Sequence, residues 1–157
     1  MKKIKITDLL IFIVTAELVG ALSALISGDF SSFYAENISP PLLPPSWLFP
    51  VVWAILYALM GMSAYLIWND KGSEIHKATA LKLYFLQLAV NFSWSIIFFR
   101  LRLLKAAAIV AVVLLVLVII MVLSFKKINK TAAWMNIPYL IWLIFASYLA
   151  IAAYILN

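Results

Sequence analysis

The sequence contains no cysteine and a single histidine, His76. The lack of cysteine excludes disulfide bonds, thiolate metal sites and a cysteine nucleophile. His76 lies in a short polar segment with Asp70, Lys71, Glu74 and Lys77, and one histidine without thiolates is a poor basis for a zinc site. We therefore expect no metal centre and no required cofactor.

Charge is also scarce, because charged residues make up 11% of the 157 residues and hydrophobic residues 67%. Soluble domains average about 25% charged residues, so this composition excludes a soluble globule and predicts an integral membrane protein. The formal net charge of +6 does not indicate a nucleic-acid partner, since the basic residues are divided among short segments between apolar runs. The lipid bilayer is the expected partner.

Five apolar runs are each long enough to cross about 30 Å of hydrocarbon. We expect an all-α, single-domain membrane bundle over residues 1–157, with transmembrane helices near 9–26, 46–68, 78–99, 103–125 and 131–155. Most links are short, which makes successive helices antiparallel neighbours. The exception is the loop 27–45, which we interpret as a lid stiffened by prolines. Pro138 removes a hydrogen bond from the fifth helix and predicts a bend there.

The basic residues predict how the bundle is oriented, since cytoplasmic loops carry an excess of Lys and Arg. One side of the bundle holds nine of them, namely Lys2, Lys3, Lys5, Lys71, Lys77, Lys82, Lys126, Lys127 and Lys130. The other side holds three, namely Arg100, Arg102 and Lys105. We therefore expect a cytoplasmic N-terminus, and with five spans a C-terminus and a long first loop on the outer side.

The second predicted helix follows a proline-rich approach, with Ser46 at the expected N-cap position. Phe49, Trp53 and Tyr57 recur every four residues, which places their rings on one helix face. The fourth helix has no polar side chain between residues 106 and 123. It is therefore expected to face lipid or to pack against other helices.

Polar side chains inside apolar runs are costly and usually face protein or a cavity. Gln87, Asn91 and Ser95 follow each other at intervals of four residues on the third helix. Together with aromatic rows on the second and fifth helices, they predict a pocket walled by Trp53, Tyr57, Asn91, Trp94 and Trp142. Periodicity alone favours a plainer alternative, in which the aromatics are core and the amides form hydrogen bonds between helices.

Glu17 is the only ionisable residue deep inside an apolar run. Such a residue is a candidate for function by default, here a proton-linked role. The alternative is a neutral acid that donates a hydrogen bond to a neighbouring helix.

Three blocks of the sequence resemble the translocator protein or tryptophan-rich sensory protein family (TspO/MBR). These blocks are PPSWLFPVVWAILYALMG, LQLAVNFSWSIIFF and IPYLIWLIFASYL, and they occur in the family's order, so the similarity covers nearly the whole chain. The resemblance implies a five-helix bundle, commonly a homodimer, with a pocket below the first loop that accepts porphyrins and synthetic aromatic drugs. We expect a bacterial plasma membrane as its location.

Matched to the family's motifs, nine residues are implied to bind ligand: Tyr34, Trp53, Tyr57, Asn91, Trp94, Trp142, Phe145, Ala146 and Leu149. The sequence also departs from the family pattern. Leu42 stands where the family has a loop tryptophan, and Ala106 where many members have a tryptophan. The C-terminal sterol motif is absent, with Ile151 in place of its tyrosine.

These observations give a leading function and two alternatives. The leading hypothesis is a membrane receptor or carrier for a porphyrin or haem-like tetrapyrrole. The first alternative is a porphyrin-degrading photo-oxidative enzyme, although the sequence offers no acid/base pair or nucleophile for it. The second is a proton-coupled exporter that uses Glu17, because residues 16–20 resemble the first-helix motif of small multidrug resistance transporters.

Overall fold

The structure, a computed structural model, describes residues 4–157. Its α-helices are α1 Ile6–Ser27, α2 Phe30–Glu36, α3 Leu48–Trp68, α4 Glu74–Ser95, α5 Leu104–Ile128, α6 Lys130–Met135 and α7 Ile137–Leu156, and residues Ile96–Arg100 extend α4 as a π-helical turn. Five helical segments are long and apolar enough to cross a membrane, which confirms the predicted all-α bundle of five spans. Lys2 and Lys3, which entered the orientation count, lie outside the described residues.

The prediction of Ser46 as an N-cap is wrong, because α3 begins at Leu48 after Trp47 and no side chain caps it. The backbone N–H of Leu48 donates to the Pro45 carbonyl at 3.0 Å, so Ser46 lies inside a tight turn. Pro50 occupies the third helical position, where a backbone N–H has no partner within the helix.

The fifth apolar run is two helices rather than one bent helix. The helix is interrupted at Asn136, whose backbone N–H donates to the Ala133 carbonyl at 3.1 Å. Its side-chain Nδ2 donates to the Ala132 carbonyl at 2.9 Å. Pro138 lies in the first turn of α7, where its missing N–H costs little. The proline thus marks the start of a new helix.

The loop 27–45 contains the short helix α2, which sequence reasoning missed. Asp29 caps it, since its Oδ1 accepts hydrogen bonds from the Ser31 backbone N–H at 3.0 Å and from Ser31 Oγ at 2.6 Å. These hydrogen bonds lower the pKa of the Asp29 carboxyl. Phe33 is only 2% exposed, so α2 is packed onto the bundle.

Small residues allow the long helices to approach closely. A Cβ atom added at Gly61 of α3 would lie 2.6 Å from the Ile13 Cα of α1, so only glycine fits at this crossing. Ala107 and Ala111 on α5 are buried, while Val113 and Val116 on its other face are exposed. The buried face confirms the predicted packing role of this apolar helix. Contact of the exposed face with lipid stays a prediction.

Candidate ligand-binding site

A closed cavity lies between α2 and the long helices α3, α4 and α7. Six of the nine predicted ligand-binding residues line it, namely Tyr34, Trp53, Trp94, Trp142, Ala146 and Leu149. We call this space the aromatic cavity. Its volume is only about 10 Å³, room for about one water molecule. The predicted residues therefore converge, but their own side chains fill the space between them.

Edge-to-face and stacked contacts hold the rings around the aromatic cavity. The Trp53 and Trp142 ring centroids are 6.4 Å apart at an interplanar angle of 89°. Trp94 stacks on Phe98 at 5.4 Å, and its Nε1 donates to the Ala107 carbonyl at 3.1 Å. Such aromatic pairs contribute about 0.5–1.5 kcal/mol beyond the area that they bury. Among the three rings Trp53, Trp94 and Trp142, a hydrogen bond within the described residues fixes only Trp94; ring contacts alone position the others.

A second space, the inner cavity, lies deeper in the bundle and is lined by Asn91, Ser147 and Leu143, among others. It shares Trp53 and Trp94 with the aromatic cavity. Its volume is also about 10 Å³. The inner cavity thus continues the aromatic cavity toward the middle of α4 and α7.

Two buried hydrogen-bond donors at these cavities have no partner within residues 4–157. They are Nε1 of Trp142 and Oγ of Ser147, which line the aromatic cavity and the inner cavity respectively. An unsatisfied buried polar group costs about 1–3 kcal/mol. A ligand with hydrogen-bond acceptors can recover this free energy.

The remaining predicted residues lie elsewhere or have other partners. Asn91 Nδ2 donates to the Tyr57 hydroxyl at 3.1 Å. Tyr57 and Glu17 line a separate space, the side groove, between α1 and α3. Phe145 contacts Trp142 and Tyr148 with ring centroids 5.7 and 6.1 Å away, and it does not line either cavity as described.

The amide row on α4 divides between two roles. Gln87 is fully buried, accepts a hydrogen bond from the Tyr139 hydroxyl at 2.8 Å and contacts Met60 Sδ at 3.5 Å. It joins α3, α4 and α7, which is the plainer alternative that the sequence left open. Ser95, two turns further along, lines the side groove. Only Asn91 of this row reaches the inner cavity.

Sequence reasoning missed several aromatic residues that line the aromatic cavity, namely Phe30, Phe49, Phe98 and Phe99. The sequence held a signal for two of them. Phe49 begins the aromatic row of α3, and Phe30 precedes Phe33 and Tyr34 at the three- and four-residue spacing of a helix face. Ser147 carried no signal of its own, because a lone serine in an apolar helix usually bonds its own backbone.

Exposed polar contacts hold the loop over the aromatic cavity. Arg102 forms an ion pair with Glu36, and its guanidinium lies 6.0 Å from the Phe33 ring centroid. The Asn157 side chain accepts from the Ile38 N–H at 2.8 Å and donates to the Ile38 carbonyl at 3.0 Å. The loop therefore covers the cavity, as a lid does.

The chemistry available at the cavity is that of stacking and hydrogen bonding. Within residues 4–157 no three His, Asp or Glu residues form a group able to hold a metal ion. Burial raises the pKa of the Tyr34 hydroxyl to about 12, so this group stays protonated at physiological pH. Tyr34 can donate a hydrogen bond there but cannot serve as a base.

Residues 11–155 match the TspO/MBR family. The chain belongs to this family. Among its relatives is the translocator protein of Ovis aries, which is 34% identical over 125 residues, 79% of this chain and 74% of that protein. The tryptophan-rich protein TspO of Archaeoglobus fulgidus is 32% identical over 148 residues, 90% of this chain and 95% of that protein.

A third TspO/MBR relative is the tryptophan-rich sensory protein of Cereibacter sphaeroides. It is 32% identical over 123 residues, which cover 78% of this chain and 75% of that protein. Family membership and the five spans together show that the chain is a multi-pass integral membrane protein.

Proposed function

We propose that this TspO/MBR protein is a membrane receptor or carrier that binds porphyrin-like tetrapyrroles and other flat hydrophobic ligands in the aromatic cavity. The observation that carries the proposal is the convergence of Trp53, Trp94 and Trp142 around one space. Indole rings stack on flat conjugated ligands. The unpartnered donors of Trp142 and Ser147 match the carboxylates and carbonyls at the edge of such ligands.

Binding requires the aromatic cavity to enlarge, since ligand pockets typically measure about 300–1,000 Å³. We expect helix α2 to be the element that moves, because exposed contacts hold its flanks. The ion pair between Arg102 and Glu36 is half-exposed, and such pairs contribute about 0–1 kcal/mol. Each hydrogen bond between Asn157 and Ile38 contributes about 0.5–1.5 kcal/mol. Displacing α2 removes Phe30 and Tyr34 from the cavity wall.

The experiment is a titration of the protein in nanodiscs with protoporphyrin IX, followed by the porphyrin absorbance rather than by tryptophan fluorescence. We expect saturable binding. Replacing both Trp142 and Asn91 by Ala is expected to raise the dissociation constant at least about tenfold, because stacking and a polar contact are lost together.

The matched control is Trp134→Ala, since Trp134 is 72% exposed and lies away from both cavities. Its dissociation constant should equal that of the wild type. Unchanged affinity in the Trp142→Ala, Asn91→Ala double variant would contradict the assignment of the site.

The orientation follows from the basic residues and forms part of the proposal, with the N-terminus in the cytoplasm and the loop over the aromatic cavity outside. The sequence has no cysteine, so single cysteines are clean reporters. Ser32→Cys should react with a membrane-impermeant maleimide on intact cells, and Lys71→Cys only after lysis. The reverse pattern would overturn the orientation. A homodimer and a bacterial plasma membrane stay predictions.

No observation decides in favour of either alternative function. Photo-oxidative degradation needs no acid/base group from the protein, and illumination of the porphyrin complex tests it by comparing bleaching with that in lipid alone. Proton-coupled export would use Glu17, which lines the side groove and not the aromatic cavity. Ligand-driven proton release that disappears in Glu17→Gln would support export.

A further inference from the structure

The side groove between α1 and α3 holds a single carboxylate among aromatic rings. The groove encloses about 240 Å³, and Glu17, Phe30, Trp53, Tyr57 and Ser95 are among the residues that line it. The five other acidic residues lie in loops or in the first or last turn of a helix. Glu17 is therefore the one acid placed along a membrane-spanning wall.

Glu17 has no ion-pair partner within residues 4–157, where the described salt bridges are those of Lys77 with Glu74 and Arg102 with Glu36. An acid at membrane depth is unfavourable unless it is neutral, hydrated or paired. A cationic ligand would supply the missing charge. Ala21, Ala24 and Ala54 of its lining are exposed, so we expect such a ligand to reach the groove from the bilayer.

The rings of the side groove suit a cation better than a neutral group. Phe30, Trp53 and Tyr57 present aromatic surfaces on the same space as the carboxylate. Aromatic faces attract ammonium groups, and the attraction grows when the site is shielded from water. A carboxylate combined with aromatic rings is therefore suited to a hydrophobic amine in its charged form.

Gly20 helps to shape the groove. A Cβ atom at this position would lie 2.3 Å from Cε2 of Tyr57, so the tyrosine ring packs directly against the α1 backbone. One turn before Gly20 on the same helix lies Glu17. The glycine thus allows the ring and the carboxylate to line one continuous groove.

We infer that the side groove is a second binding site, specific for hydrophobic ammonium compounds of one or two rings, with Glu17 as the counter-charge. Its volume of about 240 Å³ is below the roughly 300–1,000 Å³ of drug-sized pockets. A tetrapyrrole is too large for it. Trp53 and Phe30 separate the side groove from the aromatic cavity, because both residues line both spaces.

The test compares two probes of the same shape, the (2-naphthylmethyl)trimethylammonium cation and its neutral isostere, in which carbon replaces nitrogen. Binding is measured by equilibrium dialysis with protein in nanodiscs of zwitterionic lipid, with empty nanodiscs subtracted. We expect the cation to bind the wild type at least about tenfold more tightly than the isostere. Equal affinity of the two probes for the wild type would overturn the inference without any variant.

Glu17→Gln should abolish the preference for the cation, because the variant keeps the shape and removes the charge. Glu36→Gln is the matched control, since Glu36 lies on α2 near the surface and does not line the groove. It should retain the full preference. Loss of the preference in both variants would show that net charge and not Glu17 determines cation binding, which would contradict the proposed site.

Protoporphyrin binding separates this inference from the proposed function. The Glu17→Gln variant should bind the porphyrin with wild-type affinity, while Trp142→Ala should bind the ammonium probe with wild-type affinity, as Trp142 does not line the groove. If Glu17→Gln weakens both ligands equally, there is one site and not two. If the porphyrin fails to bind at all, the ammonium comparison still stands by itself.

Discussion

The two ends of the bundle are held together by different forces. At the lysine-rich end, which comprises the α3–α4 turn and the α5–α6 junction, buried polar groups join the helix ends. Lys77 is 4% exposed, and its Nζ donates to Glu74 Oε1 at 2.7 Å and to the carbonyls of Asp70 and Trp68 at 2.9 and 3.4 Å. Asn129 Nδ2 donates to Asp70 Oδ2 at 3.4 Å.

At the loop end, aromatic contacts replace most of these bonds. Phe30 meets Phe99 edge-to-face at 4.5 Å, and Phe33 lies 4.9 Å from Phe98. The ion pair between Arg102 and Glu36 there is at the surface, and a buried hydrogen bond is made by Trp94. Arg102 itself has a φ of 53°, a left-handed conformation that is unfavourable for residues other than glycine.

This difference suits a protein that opens at one end only. Buried hydrogen bonds demand fixed geometry, and breaking them leaves unpaired groups. Aromatic contacts are less directional and tolerate displacement. We therefore expect the lysine-rich end to act as a fixed base and the loop end to move when a ligand binds.

The largest effect is expected from Lys77→Met at the fixed base. The variant removes three hydrogen bonds from a buried ammonium and should lower the free energy of unfolding by about 3 kcal/mol. Titration with SDS in mixed micelles measures this. Lys71→Met is the control, because Lys71 is exposed and such surface changes stay within about 0.5 kcal/mol. Equal stability of the two variants would break the comparison of the two ends.

Gln87→Leu should give the next largest loss, about 2 kcal/mol, because it leaves the buried Tyr139 hydroxyl without its acceptor. The same SDS titration applies. Adding Tyr139→Phe removes the unpaired hydroxyl and should recover part of the loss. If the double variant is as unstable as the sum of the two single changes, the hydrogen bond does not account for the effect.

Asn157→Ala tests the movable end. It removes both side-chain hydrogen bonds to Ile38, so we expect a loss of about 1 kcal/mol in stability and faster porphyrin association. Stopped-flow absorbance measures the rate. Lys71→Met, at the opposite end, should leave that rate unchanged. An unchanged rate in Asn157→Ala would show that the loop does not limit access.

The smallest effect concerns pH and Tyr34. Burial raises the pKa of Tyr34 to about 12, whereas an unfolded tyrosine ionises near pH 10. Below about pH 10 the tyrosine is protonated in both states and contributes its full share to the free energy of unfolding. Between about pH 10 and 12 the unfolded chain loses the proton first, so the free energy of unfolding decreases as the pH rises. Tyr34→Phe should therefore lose less stability than the wild type between these pH values. An identical loss would mean that Tyr34 is exposed in solution.

Hydropathy was enough to predict the five spans, because crossing a bilayer requires long apolar runs whatever the partners are. The helix ends were less predictable. Ser46 had the chemistry of an N-cap, yet the preceding prolines placed it in a turn. Helix α2 was missed because a helix of seven residues carries too short a pattern, although Asp29 before Phe30 was a capping signal.

For the site, side-chain spacing predicted which helix faces meet but not how full the space between them is. Trp53, Trp94 and Trp142 were predicted to converge, and they do. The closed state depends on Phe30 and Phe99, whose contact joins distant parts of the chain. The ligand-binding role of the three tryptophans stays a prediction until binding is measured.

Trp53 borders the aromatic cavity, the inner cavity and the side groove at once. Any displacement of this one indole changes the volume of all three spaces together. Two ligands bound in different spaces would then alter each other's affinity by the same factor, as thermodynamic reciprocity demands. If both proposed sites bind ligand, this single side chain would couple them.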